Sequence, residues 1–267
     1  MNVRSFLFAA ATLLFAGIAA AEDMKMAVTT SFANSGLAEI LLPKIKEDTG
    51  IEVQLLIVGT GQALALGAAG DVDAVLVHSR PAEDKFLAEG NGTHRREIMY
   101  NDFVIIGPKD DPASIREADK AIVAMADIAK AQAPFVSRGD DSGTHQKELA
   151  LWKDAGIALE GGWYRAVGQG MGAALNTAAG MNAYILSDRA SWLNFGNKRD
   201  LVLLFEGDPA LFNQYAYIPV NPETHPSVKK DLAVQLEDWL TSDTAKGLIN
   251  GYQLEGQQLF VFNAQAK

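Results

Sequence analysis

The sequence has no cysteine among its 267 residues. This absence excludes a disulfide framework and a lipid-modified cysteine anchor, so packing alone must stabilise the fold. Basic residues are also in deficit, with 23 lysines and arginines against 33 aspartates and glutamates and a formal net charge of −10. A nucleic-acid-binding protein needs a basic face, so the charge balance argues against that class.

Long apolar runs are missing everywhere except at the N-terminus. Arg4 precedes an almost wholly apolar segment, residues 6–20, and three alanines then form a small-residue cleavage site before Glu22. This order is typical of a secretory signal peptide over residues 1–21, and the run is too short for a spanning helix. We expect the mature chain to begin at Glu22 and to be free in a periplasm or outside the cell, without a lipid anchor.

The rest of the chain alternates β-rich runs with helical patterns, and its hydrophobic content of 48% suffices for a core. This alternation favours an α/β fold with mostly parallel sheets. Strands are predicted at residues 25–29, 52–58, 73–78, 103–107, 134–138, 183–186, 201–205 and 215–220. Helices are predicted at residues 35–48, 62–69, 82–89, 112–132, 142–155, 171–179 and 188–194, with a further amphipathic helix near the C-terminus.

The chain contains no linker rich in glycine, proline or serine that would separate two independent domains. Two sheets without such a linker indicate two lobes that are joined by more than one crossing of the chain. The extended runs 100–107 and 214–221 are the best candidates for these crossings. We expect residues 22–102 and 215–267 to form one lobe and residues 103–214 to form the other.

Four segments share one layout, in which a short strand is followed by small hydroxyl or glycine residues and then a helix. They are Val28-Thr29-Thr30-Ser31, Val58-Gly59-Thr60-Gly61, residues 135–144 and Gly168-Gln169-Gly170-Met171-Gly172. A helix start offers unpaired N–H groups and partial positive charge, and glycine lets the backbone approach a ligand. Such loops lie at the carboxyl ends of strands, where α/β folds bind ligands. Together they predict a site for a small dianion that needs no net positive charge.

Arg138 ends a predicted strand within the order Arg-x-Asp-x-Ser-Gly-Thr. A guanidinium at this position meets an oxyanion bidentately while Ser142 and Thr144 donate from the helix start. The alternative is a surface arginine that is paired with Asp140 or Asp141.

These motifs, in this order, resemble the tungstate-binding proteins of tungstate ABC transporters, a branch of the periplasmic solute-binding superfamily. Val28 stands where that family usually has the first threonine of Thr-Thr-Thr-Ser, so we do not expect a ligand there. The segments that carry the resemblance are residues 29–31, 34–37, 58–61, 70–73, 77–80, 99–104, 135–145, 183–189 and 217–221.

The resemblance implies a two-lobed periplasmic binding protein fold, in which each lobe is a mixed, mostly parallel sheet flanked by helices. It implies a monomer that holds tungstate, or molybdate, in a cleft between the lobes and delivers it to ABC permease subunits. No catalytic residue, resident cofactor or metal site is expected. By carry-over from the family and from the shared loop layout, the expected ligand-binding residues are Thr30, Ser31, Arg138 and Thr144, then Thr60, Ser79 and Ser142, and Gly170 in the fourth loop.

Phosphate is the main alternative ligand, because the Arg-x-Asp-x-Ser-Gly-Thr order also resembles the phosphate-binding proteins of the same superfamily. Hydrogen phosphate carries a proton and needs an acceptor such as a carboxylate, whereas tungstate and molybdate are aprotic and are repelled by one. The directions of Asp140 and Asp141 therefore decide between the two. Carboxylates that point into the cleft favour phosphate, and carboxylates that cap the helix or pair with neighbours favour tungstate.

Chemistry beyond binding has little support in the sequence. No Gly-x-Ser-x-Gly elbow and no His-Glu-x-x-His motif occurs, so an oxyanion-processing hydrolase is only a second alternative. The aspartates match no calcium loop. His78 and His145 flank candidate site loops, although a lone histidine is more often structural. A sensing role, in which the ligand is presented to a receptor, is left open.

Overall fold

The computed structural model describes residues 22–140 and 142–265, so the expected signal peptide, residues 1–21, and Asp141 lie outside the described residues. Its strands are β1 Glu22–Thr29, β2 Ile51–Val58, β3 Ala74–Val77, β4 Arg96–Pro108, β5 Phe135–Ser137, β6 Tyr164–Ala166, β7 Tyr184–Asp188, β8 Leu201–Phe205, β9 Phe212–Pro219, β10 Gln253–Leu254, β11 Gln257–Gln258 and β12 Val261–Phe262. Its α-helices are α1 Thr30–Asn34, α2 Leu37–Thr49, α3 Thr60–Ala69, α4 Arg80–Ala88, α5 Ala121–Lys130, α6 Gly143–Asp154, α7 Met171–Met181, α8 Arg189–Asn194, α9 Lys230–Leu240 and α10 Asp243–Gly251. Within the described segments, none of the helices has the length and apolar character that crossing a membrane requires.

The strands form a ten-stranded mixed sheet in the order β2-β1-β3-β9-β4-β7-β5-β6, with β8 and β12 also pairing with β4. Parallel pairing is confined to the two flanks, where β1 pairs with β2 and β3, and β5 pairs with β6 and β7. The centre is antiparallel, because β3 pairs with β9, β9 with β4, and β4 with β7. The helices connect the parallel strands and cover the sheet, as crossover connections require.

The antiparallel centre sets the direction of each flank. Strand β3 runs in the same direction as β4, since both are antiparallel to β9, whereas β7 runs against β4. The two parallel units therefore point towards each other. Their carboxyl ends meet near the middle of β4, where Asn101 is opposite Asn213 and Phe103 is opposite Asp188.

Strand β4 changes partners along its length. Residues 96–102 pair with β9, and residues 103–106 pair with β7. The chain returns through the 3₁₀ turn Pro209–Leu211 into β9. The predicted crossings at residues 100–107 and 214–221 fall on β4 and overlap β9, and the division into two lobes at these points stays a prediction.

One predicted helix, residues 112–132, is wrong in extent. The structure has a 3₁₀ turn at Ile115–Glu117 and begins α5 only at Ala121. Two carboxylates explain the break, because Asp111 accepts from the N–H of Ile115 at 3.2 Å and Asp208 accepts from the N–H of Ala121 at 2.6 Å. Side-chain acceptors thus satisfy N–H groups that a continuous helix would bond internally.

Pro43 lies inside the helix predicted at residues 35–48, and a proline there is expected to kink or shorten the helix. Helix α2 begins after Gly36, whose φ is 83°, and it continues past Pro43 to Thr49 without being shortened. Proline leaves one carbonyl of the preceding turn unbonded. Here Glu39 and Pro43 both lie on the exposed face, where water can satisfy that carbonyl. Ile40 is 44% exposed, whereas Leu37, Leu41 and Ile45 of the same helix are buried.

Helix α6 is anchored in a cluster of buried aromatic residues by Glu148, which is only 1% exposed. The Tyr164 hydroxyl donates to Glu148 Oε1 at 2.8 Å, and Trp152 Nε1 donates to the same oxygen at 3.3 Å. Burial outweighs these bonds and raises the pKa of Glu148 from 4.5 to about 7.

We predict that Glu148→Gln removes a component of stability that depends on pH. Because the folded-state pKa of Glu148 is raised to about 7, its contribution is fully present below about pH 4.5 and is lost as the pH rises through about 7. Relative to the variant, the wild-type free energy of unfolding should fall by on the order of 3 kcal/mol across this window. Urea denaturation of both proteins at several pH values measures this difference.

Glu160→Gln, at an exposed position, is the matched control and should leave the pH dependence of the wild type unchanged. If the difference between wild type and Glu148→Gln is the same at every pH, Glu148 does not titrate in this window.

Candidate functional site

A cavity of about 350 Å³ lies where the carboxyl ends of the opposed strands converge. Its lining comes from the junctions that follow β1, β2, β3 and β5. The lining residues are Thr29, Thr30, Ser31, Gly59, Thr60, Gly61, Gln62, His78, Arg138, Asp140, Ser142, Gly143 and Thr144.

The junction after β1 contributes hydroxyl groups. Thr29 caps α1, and its Oγ1 accepts from the N–H of Phe32 at 3.4 Å. The Oγ of Ser31 lies 3.1 Å from Thr29 Oγ1, 3.0 Å from His78 Nε2 and 3.0 Å from the hydroxyl of Tyr215. Ser31 is therefore held in place from the protein side, which limits how its hydroxyl can turn.

The junction after β2 contributes a helix N-terminus. Gly59 is the N-cap of α3 and has no side chain with which to cap it. The first bond of the helix runs from the N–H of Ala63 to the carbonyl of Gly59 at 2.8 Å, so the N–H groups of Thr60, Gly61 and Gln62 precede the internal ladder. This end of the helix carries partial positive charge, which favours an anion.

The junction after β5 contributes a charged pair and a second helix N-terminus. Arg138 Nη2 donates to Asp140 Oδ2 at 2.5 Å, and Arg138 Nη1 donates to Thr144 Oγ1 at 3.5 Å. Ser142 caps α6 by accepting from the N–H of His145 at 3.3 Å. Arg138 Nε is buried and has no hydrogen-bond partner among the described residues.

Asp140 uses both of its carboxylate oxygens within this loop. Oδ2 accepts from Arg138, and Oδ1 accepts from the N–H of Ser142 at 3.2 Å. Partial burial opposes ionisation, but the bonds from Ser142 and the charge of Arg138 hold the pKa of Asp140 below its usual value. The pair is therefore ionised and nearly neutral in sum, and N–H and O–H groups dominate the remaining wall of the cavity.

His78 separates this cavity from a neighbouring one of about 320 Å³. Burial of the ring lowers the pKa of His78 to about 4, so its imidazole is neutral at physiological pH. The ring packs on Tyr215 with a centroid separation of 4.7 Å. Gly143 approaches the ring from α6, and a Cβ at that position would lie 2.7 Å from His78 Cε1.

The structure brings six of the eight predicted site residues into this cavity. They are Thr30, Ser31, Thr60, Arg138, Ser142 and Thr144. Ser79 lines the neighbouring cavity instead, where its Oγ donates to Gln146 Oε1 at 3.5 Å. Gly170 is the N-cap of α7 and lies outside the lining. Ligand contact by any of these residues stays a prediction.

Three features of the site were missed or underweighted in the sequence. The sequence alone favours a structural role for His78, although its position directly after β3 repeats the strand-end layout of the other junctions. Gln62 belongs to the same strand-end layout, because it is the first residue of the helix predicted after Gly61. No pattern in the sequence indicates a role for Tyr215 in the site, because it lies on a buried strand 184 positions from Ser31.

Comparisons with known proteins agree with this architecture. A family model described as the PBP superfamily domain matches residues 16–244. The tungstate-binding protein TupA of Peptoclostridium acidaminophilum is 44% identical over 243 residues, which covers 90% of this chain and 85% of the relative.

Two solved structures are similar throughout. The tungstate-binding protein TupA from Desulfovibrio alaskensis G20 superposes with a TM-score of 0.84 at 44% identity, covering 92% of this chain and 100% of that chain. The tungstate ABC transporter structure from Geobacter sulfurreducens gives a TM-score of 0.78 at 50% identity, covering 86% and 99%. The expected α/β fold of the periplasmic binding protein type is thereby confirmed.

Gly143→Ala tests whether the close approach of α6 to His78 matters for binding. The added methyl group would meet the His78 ring at 2.7 Å and force the ring or the helix N-terminus to move. Affinity for tungstate, the ligand that the sequence resemblance implies, should fall by at least about tenfold. Isothermal titration measures the affinity, and thermal melting without anion checks that the variant is folded.

Gly180→Ala is the matched control, since Gly180 lies in α7 and a Cβ there would meet no atom within 4 Å. It should bind like the wild type. Equal affinities for the wild type and Gly143→Ala would show that the contact with His78 does not shape the site.

Proposed function

We propose that this chain, which belongs to the PBP superfamily and within it to the family of the tungstate-binding proteins TupA, captures tungstate outside the cytoplasm and delivers it to an ABC transporter. The observation that carries the proposal is a cavity whose wall consists of hydroxyl and N–H donors around one guanidinium. A tetrahedral dianion matches this wall, because each of its oxygens accepts hydrogen bonds and none of them donates.

The state of Asp140 favours tungstate over phosphate. Hydrogen phosphate needs an acceptor for its proton, and Asp140 is the only carboxylate among the described residues that line the cavity. Both oxygens of Asp140 already accept, from Arg138 and from the N–H of Ser142. The proton of hydrogen phosphate would therefore compete with Arg138 and the N–H of Ser142 for these oxygens, which is unfavourable. Molybdate has the same charge and nearly the same size, so it should bind more weakly but detectably.

The arrangement supports binding rather than catalysis. Ser31 Oγ lies 3.0 Å from His78 Nε2, but Thr29 and Tyr215 also hold this hydroxyl, and His78 Nδ1 has no hydrogen-bond partner among the described residues that would orient the ring as a base. Ser142 caps a helix instead of meeting a general base. Transition-state chemistry on an oxyanion would need a nucleophile whose base is oriented by a third group. The relatives are likewise named as binding proteins.

The cellular setting follows from the same family. A solute-binding protein of an ABC transporter works in the periplasm, and the N-terminal apolar segment fits export to that compartment. The permease subunits would receive the loaded protein, which we propose to be a monomer. Closure of the two proposed lobes would bring the donors of α3 and α6 together around the anion.

Titration with three anions tests the ligand. We expect tight binding of tungstate, weaker binding of molybdate and no measurable binding of phosphate at neutral pH. Phosphate is disfavoured because both oxygens of Asp140 already accept, from Arg138 and from the N–H of Ser142. Isothermal titration calorimetry of the purified mature protein measures all three. Tight binding of phosphate without a response to tungstate would overturn the proposal.

Arg138→Ala tests the guanidinium. Removing it deletes charge-assisted donors and leaves Asp140 unpaired beside the anion, so tungstate affinity should fall by at least about tenfold. Arg80→Ala is the matched control, because Arg80 also pairs with a carboxylate, Asp84, at 2.7 Å, but lines the neighbouring cavity. Similar losses in both variants would mean that Arg138 has no direct role.

A further inference from the structure

The orientation of the Ser31 hydroxyl depends on the two groups that contact it from inside the protein, His78 and Tyr215. A hydroxyl has one proton and two lone pairs. Ser31 Oγ has His78 Nε2 and the Tyr215 hydroxyl both at 3.0 Å. If both groups donate to Ser31, its lone pairs are filled and its proton is directed elsewhere, to Thr29 Oγ1 or into the cavity. If either group accepts instead, the Ser31 hydroxyl donates to that group and presents a lone pair to the anion.

Tyr215 is suited to donate. Its ring is completely buried, and burial raises the pKa of its hydroxyl above the usual value, so the proton is retained. The direction of the bond at Ser31 is then decided by the histidine.

His78 is neutral, so one ring nitrogen carries a proton and the other carries a lone pair. Nδ1 is buried and forms no hydrogen bond of normal geometry with any described residue. An unpaired buried N–H costs more than an unpaired lone pair, which favours the proton on Nε2, where Ser31 can accept it. The Asn213 side chain and the carbonyl of His78 also interact with the ring and would favour the other tautomer by accepting from Nδ1, but neither reaches Nδ1 with the geometry of a hydrogen bond.

We propose that His78 is a positioning residue that, as the Nε2–H tautomer and together with Tyr215, fills the lone pairs of Ser31, so that this hydroxyl can donate to an anion but cannot accept from one. The proposal rests on the proposed function and deepens it, because it names how the site selects among oxyanions. A hydroxyl without a free lone pair accommodates an anion that has no proton and offers no partner to one that must donate. His78 thereby acts on selectivity without contacting the anion.

The tautomer is measured directly. In protein labelled with ¹⁵N-histidine, the ring nitrogen shifts of His78 should show a protonated Nε2 and an unprotonated Nδ1, both without anion and with tungstate. A proton on Nδ1 would overturn the proposal. Because the anion-free measurement needs no ligand, it tests this inference even if the protein proves not to bind tungstate, an outcome that would count against the proposed function alone.

Two substitutions separate donation from packing. His78→Gln places an amide N–H donor near the position of Nε2 and should keep tungstate affinity within about threefold of the wild type, whereas His78→Leu fills the space without a donor and should lose at least about tenfold. Equal losses in both variants would assign His78 a packing role and overturn the proposal. Tyr215→Phe removes the second donor and should weaken tungstate binding in the same direction.

His225→Gln, which changes a partly buried histidine outside the cavity, is the matched control and should bind tungstate like the wild type. Thermal melting without anion identifies any variant that fails to fold. For such a variant, the tautomer measurement on the wild type still decides the question.

Discussion

The opposition of two parallel strand units across the antiparallel centre of the sheet is the constraint on which the site depends. Strand β4 pairs with β9 in its first half and with β7 in its second, so the strands on the two flanks run towards each other. Their carboxyl ends, and the loops and helix starts that follow them, must then face a common space. No single loop forms an anion site, but this topology brings several strand-end loops to one cavity.

Within that space, local dipoles overcome an unfavourable overall charge. The chain carries a formal net charge of −10, and the one guanidinium among the described residues that line the cavity is largely offset by Asp140. What remains is a set of short-range donors on α3, on α6 and at Ser31, whose effect is strong at contact and weak at a distance. Such a site discriminates by whether an anion needs donors, acceptors or both, rather than by charge alone.

The sequence predicted those parts of the site that are continuous in the chain. Strand-end loops with small hydroxyl residues, and the run from Arg138 to Thr144, are local patterns whose helix-capping chemistry can be inferred from composition. The contacts that orient these groups join distant segments. Ser31 meets His78 at a separation of 47 positions and Tyr215 at 184, and periodicity contains no information about such pairs. The helix predicted over residues 112–132 failed for a related reason, because the carboxylate that starts α5 belongs to Asp208, 87 positions away from Ala121.

His78 connects the two sets of donors. Its ring contacts Ser31 on one side, and on the other it is approached so closely by α6 that a Cβ at position 143 would lie 2.7 Å from the ring. If residues 103–214 move as one lobe, the α6 N-terminus cannot reach its place in the cavity without also reaching the ring that orients Ser31. Lobe closure and the orientation of the Ser31 hydroxyl would then be coupled, because the His78 ring contacts both Ser31 and the N-terminus of α6. An anion that must donate a proton would find no acceptor at Ser31 and would also lose the contacts that closure makes with Arg138 and Thr144. The selectivity at one hydroxyl would then extend to the closed state as a whole.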